Sequence, residues 1–357
     1  MPSYKNFLEL GDAVVARCEG DRQSLMRREA EIYLVTKCRE MLEARRKWEL
    51  DYSSPEAYIN TCDPHRHRWA ETVGQVEYNA EFNAYYEPFF EDGEYVARWL
   101  YIDLDRGLKA RAVLAMPRRV KEPVPLVIAQ HGIASSPERI FGLNDAQGIY
   151  HAYGRALLEA GYAVLAPSNI TEGPPRARLQ RLCSLLGKTL MGLEIGKIRR
   201  LLDYVLGLPE IDMVRVGMWG ISLGGMYTMY TVPLEPRIKV GINCAFFNDR
   251  FPKMAVSSPQ YSSFLDANEE HIWIPGWFAG GFGDAELAAL ICPRAYQIQQ
   301  GRADGIGWWP LQHAEFVRAR GYYEKLGLAE RIEYADHNGG HEILVDQGLA
   351  FLKKHLG

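Results

Sequence analysis

"VGMWGISLGGMY", residues 216–227, places four glycines around Ser222, between a strand-like run that ends at Trp219 and a second apolar run that begins at Met226. The upstream "MVRVGMW" reads as a buried strand and the downstream "MYTMYTV" as the continuation of a buried helix. Glycine inside a regular element costs about 0.5–1 kcal/mol relative to alanine, so this density demands a geometric reason. Gly220-Ile221-Ser222-Leu223-Gly224 is G-x-S-x-G in a strand–turn–helix context, which is the pattern of a nucleophile elbow. Such a turn is sharp enough to strain the serine backbone, and its glycines keep side chains out of a crowded space. The Ser222 hydroxyl would stand above the carboxyl ends of the strands, beside a helix N-terminus that favours developing negative charge. Outside that context the same residues would be an ordinary glycine-rich turn.

The flanking sequence supplies the context. "YVARWLYIDL" and "LKARAVLAMP", separated by "DRG", predict an antiparallel pair. "PLVIAQHG", "YAVLAPS", "VRVGMW", "IKVGINCAF", "RAYQIQQG" and "RIEYAD" are apolar strands divided by helical stretches. Among those stretches, "HAYGRALLEAG" is closed by glycine, and the long run after Arg178 invites a break at Gly187 or Gly192. Apolar strands alternating with helices predict an α/β fold with a mostly parallel central sheet covered on both faces. Residues 1–75 read as an N-terminal helical extension, since "DRQSLMRREAEIYLVTKCREMLEARRKWEL" contains neither Gly nor Pro. Its apolar residues fall only loosely at helical spacing. Residues 76–357 form the second unit, the catalytic domain.

A serine hydroxyl is a poor nucleophile until a base takes its proton and an acid orients that base. In this topology the order is serine, then acid, then histidine. "QQGRADGIG" offers Asp304 just beyond an apolar strand, and "ADHNGGHEI" offers His341 in a glycine-bearing loop after the last strand. Asp336 and His337 are the nearest competitors. The oxyanion formed by attack on a carbonyl needs backbone donors. Leu223 N–H is one, and the loop "QHGIASS" supplies the other from Ile133, with Gly132 as the alternative. His131 reads as a residue that shapes this loop. Trp277, Trp308 and Trp309, with Trp273, are candidates for an aromatic wall against the substrate, or equally for packing the extension onto the core. "CDPHRHRW" collects Cys62, Asp63, His65 and His67, but the spacing matches no common zinc pattern, so a polar loop or substrate-side wall is expected and no metal.

Composition narrows the classes. The 357 residues are 47% hydrophobic and 24% charged, with a net charge of −4, which disfavours a nucleic-acid partner steered by positive field. No apolar run reaches the length of a membrane span, and the six scattered cysteines suit a reducing compartment. "MPSYKNFLELGDAVVARCEG" does not read as an export signal, so a cytoplasmic location is expected. The helical extension is expected either to cap the cleft or to mediate a homodimer, and composition does not decide between them.

Taken together, "QHGIASS", "GYAVLAPS", "LLDYVLGLPEIDMVRVGMWGISLGG", "IPGWFAGGFGDAELAALICPRAYQIQQGRADG" and "NGGHEI" resemble the α/β-hydrolase superfamily. Within it the chain is similar to the dienelactone hydrolase and acetyl xylan esterase-like branch, from about Val76 onward. The resemblance implies Ser222 as nucleophile, His341 as base, Asp304 as orienting acid, and cofactor-free hydrolysis through an acyl-enzyme. The sequence departs from dienelactone hydrolases in carrying serine where they carry cysteine. A small soluble ester, such as an acetyl ester, is therefore the expected substrate. The same constellation would also serve an amide, thioester or carbon–carbon bond, and the fold can survive as a non-catalytic ligand receptor.

Overall fold

Along the strand Val124–Gln130, alternate side chains enter two different cores: Leu126 and Ile128 on one face, Val127 and Ala129 on the other. That two-sided burial is why the strand is apolar throughout. It lies in the middle of a nine-stranded sheet in a computed structural model that describes residues 11–171, 173–265 and 272–357. The opening decapeptide, which carries half of the stretch read for an export signal, and His271 lie outside the described residues.

Two helices come first, α1 (Asp12–Arg45) and α2 (Pro55–Thr72). Three antiparallel strands follow: β1 (Tyr85–Glu91), β2 (Tyr95–Asp105) and β3 (Leu108–Pro117). Then come β4 (Val124–Gln130), α3 (Pro137–Ile140), α4 (Tyr153–Glu159), β5 (Ala163–Pro167), α5 (Gly173–Leu185) and α6 (Leu190–Val205). The elbow strand β6 (Ile211–Ile221) leads into α7 (Leu223–Thr231), followed by β7 (Val240–Cys244), α8 (Arg250–Ala255), α9 (Asp284–Ile291) and β8 (Ala295–Gly301). The chain finishes with α10 (Trp309–Lys325), β9 (Ile332–His337) and α11 (Val345–Leu356). The spatial order is β1-β2-β3-β5-β4-β6-β7-β8-β9, parallel from β5 to β9, with antiparallel β1–β3 at one edge. Because β4 lies between β5 and β6, the crossovers place helices on both faces.

The long helical run breaks between α5 and α6, where Gly187 has a φ of +66°. Gly192 instead lies inside α6, pressed against the backbone of Gly74, where a Cβ would fall 2.0 Å from its carbonyl oxygen. The two N-terminal helices behave differently. On α2, Tyr58, Cys62 and Trp69 are wholly buried in the main core, and the Trp69 indole donates to Tyr230 O at 3.1 Å. In contrast, α1 buries only Leu42 and leaves Leu25, Met26, Ile32, Tyr33 and Leu34 more than half exposed. Its loose apolar spacing gives it no face to bury, and it meets the body mainly near its C-terminal end. The stretch "CDPHRHRW" is the middle of α2 and not a loop: helix periodicity buries Cys62, stacks His65 on Trp48 at 4.0 Å and pairs Asp63 with Arg66. Among the described residues no helix is long and apolar enough to cross a membrane.

Candidate active site

The elbow is built by exclusion. Ser222 adopts φ 58° and ψ −119°, a region costing about 1–3 kcal/mol for a residue with a side chain. The surroundings hold it there: Ser222 N–H donates to Cys244 O and Ser222 O accepts from Met226 N–H, both at 2.9 Å. A Cβ on Gly220 would fall 2.3 Å from Gly224 O, one on Gly224 2.3 Å from Gln130 O, and one on Gly225 2.6 Å from Cys244 O. Three of the four glycines that opened the sequence reading therefore mark contacts between backbones, where no side chain fits. With Leu223 the first residue of α7, its N–H lies at the helix N-terminus without an intrahelical acceptor.

At the ends of β8 and β9, Asp304 and His341 meet. His341 Nδ1 lies 2.8 Å from Asp304 Oδ2, and the second carboxylate oxygen accepts from Ile306 N–H at 3.0 Å. A carboxylate can only accept, so His341 carries its proton on Nδ1 and leaves Nε2 as a lone-pair base. Asp304 is 6% exposed, while the ring of His341 reaches a cavity of about 490 Å³ that Ser222 also lines. The competitors are engaged elsewhere: Asp336 pairs with Arg302 at 2.5 Å, and His337 Nδ1 accepts from Gly339 N–H at 3.1 Å.

Gly132 and Ile133 line the same cavity, and Ala134 turns the loop with a φ of +51°. Gly132 N–H is already taken by the Tyr150 hydroxyl at 2.9 Å. Of the two loop candidates, Ile133 N–H is the one without an acceptor among the described residues. His131 is fully buried and does not line the cavity. Its Nε2 accepts from Asn169 N–H at 3.1 Å, so Nδ1 bears the hydrogen and donates to Gly132 O at 2.9 Å. That carbonyl belongs to the peptide whose N–H is Ile133's, so the imidazole fixes the plane of the donor. Burial pushes the His131 imidazole down to about 4, keeping it neutral at ordinary pH. Asn169 is held in turn by Gln130 Oε1 at 2.8 Å and by Lys197, which also bonds Ser168 O at 2.7 Å.

The tryptophans separate. Trp277 is 3% exposed and packs edge-on against Trp69 and Tyr230, at 5.7 and 5.4 Å, so it belongs to the core and not to a substrate wall. Trp308 is 44% exposed and Trp309 lies under Arg302, but neither lines the cavity. The wall is made instead by Tyr150, Ile149, Arg139, Asn144 and Gln147, from the segment between β4 and α4. No sequence signal marked these positions; the first of the two tyrosines in "GIYHAYG", Tyr150, gives no hint that its hydroxyl reaches back to Gly132.

No family model matches the chain. YtaP of Bacillus subtilis (strain 168), named provisionally as a hydrolase, is 26% identical over 280 residues, covering 74% of this chain and 90% of that protein. Among solved structures, the glucuronoyl esterase from Solibacter usitatus superposes with a TM-score of 0.66 at 14% identity, over 85% of this chain and 94% of the other. Acetyl xylan esterase 1 from Thermoanaerobacterium sp. JW/SL YS485 gives 0.53 at 18% identity, over 87% and 98%. The elbow geometry, the sheet order and these likenesses agree: the chain is an α/β-hydrolase by fold.

Proposed function

We propose that this protein is a serine esterase that cleaves a small ester through an acyl-enzyme. The observation that carries the reading is the His341–Asp304 hydrogen bond opening onto the cavity that holds the strained Ser222. His341 Nε2 takes the Ser222 proton as Oγ attacks the carbonyl carbon. The N–H groups of Leu223 and Ile133 receive the oxyanion, a contribution of about 3–4 kcal/mol per donor in comparable sites. His341, now protonated and held by Asp304, gives its proton to the departing alcohol oxygen. Water then enters, loses a proton to His341, and attacks the acyl carbon to release the acid and restore Ser222. Similarity to a glucuronoyl esterase and an acetyl xylan esterase favours an ester over an amide or thioester.

Ser222→Ala tests the assignment. Hydrolysis of 4-nitrophenyl acetate should fall by about a thousandfold or more, with the unfolding midpoint little changed, since alanine keeps the Cβ and with it the same backbone strain. Turnover equal to the parent's would remove Ser222 from the reaction.

A further inference from the structure

Arg139 sits on the short helix α3, on the wall of the cavity that Ser222 and His341 share. Its guanidinium has no hydrogen bond or ion pair among the described residues. Several other arginines drawn into this structure are matched: Arg250 with Asp284 at 2.6 Å, Arg294 with the carbonyls of Val232, Glu235 and Ile238, Arg176 with the Tyr227 hydroxyl. Among the described residues no carboxylate lines the cavity and Arg139 is its one fixed charge, and Asn144 and Gln147 stand on the same wall, their amide groups without a hydrogen bond among the described residues. Of the acids in that segment, Asp145 accepts from Tyr150 N–H at 3.1 Å, and Glu138, next to Arg139 in the chain, makes no ion pair with it among the described residues. A guanidinium left unmatched beside a nucleophile, with amides around it, is the donor set for a planar oxyanion.

We infer that Arg139 forms a subsite for a carboxylate on the substrate, so that the preferred esters carry an anionic group on their acyl or alcohol part. This rests on the reading of Ser222 as nucleophile. It sets the substrate class apart from simple acetate esters, which offer Arg139 nothing.

The test measures binding in Ser222→Ala protein, so that turnover does not enter. Two matched pairs locate the charge: 4-nitrophenyl hemisuccinate against 4-nitrophenyl butyrate for the acyl side, and 3-acetoxybenzoate against phenyl acetate for the alcohol side. In at least one pair the anionic ester should bind about tenfold tighter or more, and the preference should shrink as salt is raised. Arg139→Met should abolish the preference, and Arg139→Lys should keep part of it. Equal binding within both pairs, or a preference that survives Arg139→Met, overturns the inference. The esterase reading fails separately, if the parent enzyme turns over none of the four esters.

Discussion

At the scale of single residues the site depends on who holds whom. Tyr150 supplies the acceptor for a buried backbone N–H, so Tyr150→Phe leaves Gly132 N–H unsatisfied, at a cost of about 1–3 kcal/mol in stability. The same loop then loses its register against Ser222. We expect kcat to fall about tenfold with KM little changed, measured by steady-state ester hydrolysis alongside urea unfolding. Asp304→Asn should act on kcat through His341, because an amide that donates to Nδ1 selects the wrong tautomer. The placement of Ser222, Asp304 and His341 at one side of the sheet was legible in the sequence because each sits where a strand ends and glycine follows or precedes. Tyr150, Arg139 and Asn169 were not, since their roles depend on where loops far apart in sequence come to rest. Trp277 follows the second of its two sequence readings, packing the α2 helix of the extension onto the core through Trp69.

Among the elements, the sheet was readable wherever both faces are buried. One strand escaped: β1, "YYEPFFE", contains Pro88 and breaks register beside it, as a proline does on an edge strand. The N-terminal region was readable as helix but not as packing. The two helices differ because α2 carries large apolar residues spaced to one face, and α1 does not. Removing the chain before Val35 should therefore move the thermal midpoint by less than about 2 °C. The attachment at the end of α1 combines the buried Leu42 with an electrostatic contact. Arg46 lies 3.5 Å from Glu286, which is buried with Glu315 and also meets Arg318. Burial, then the neighbouring Glu315, pushes the Glu286 carboxyl up from its ordinary value. Its raised native pKa means that the charged form is disfavoured by folding, and stability from this group is lost as pH rises. Arg46→Met removes one of the two cations that offset that loss, Arg318 remaining, so it should destabilise by about 1 kcal/mol at pH 8 and by less at pH 5. Chemical denaturation at the two pH values decides it.

At the scale of the whole molecule the central strands β4, β5, β7 and β8 are buried on both faces, and the candidate site residues gather at the carboxyl ends of β4, β6, β8 and β9. That gathering follows from the strand order, which brings residues 132, 222, 304 and 341 to one side. Acid should loosen it from within. His131 titrates near 6.5 when unfolded and near 4 when buried, so the unfolded chain binds the extra proton first. Stability from this group is complete above 6.5 and falls by about 3 kcal/mol as pH drops to 4. Covalent capture tests the central claim most directly. A fluorophosphonate should add once per chain, at Ser222, and His341→Gln should slow that addition by about a hundredfold or more. Modification elsewhere, or an undiminished rate at Ser222 in His341→Gln protein, would contradict it.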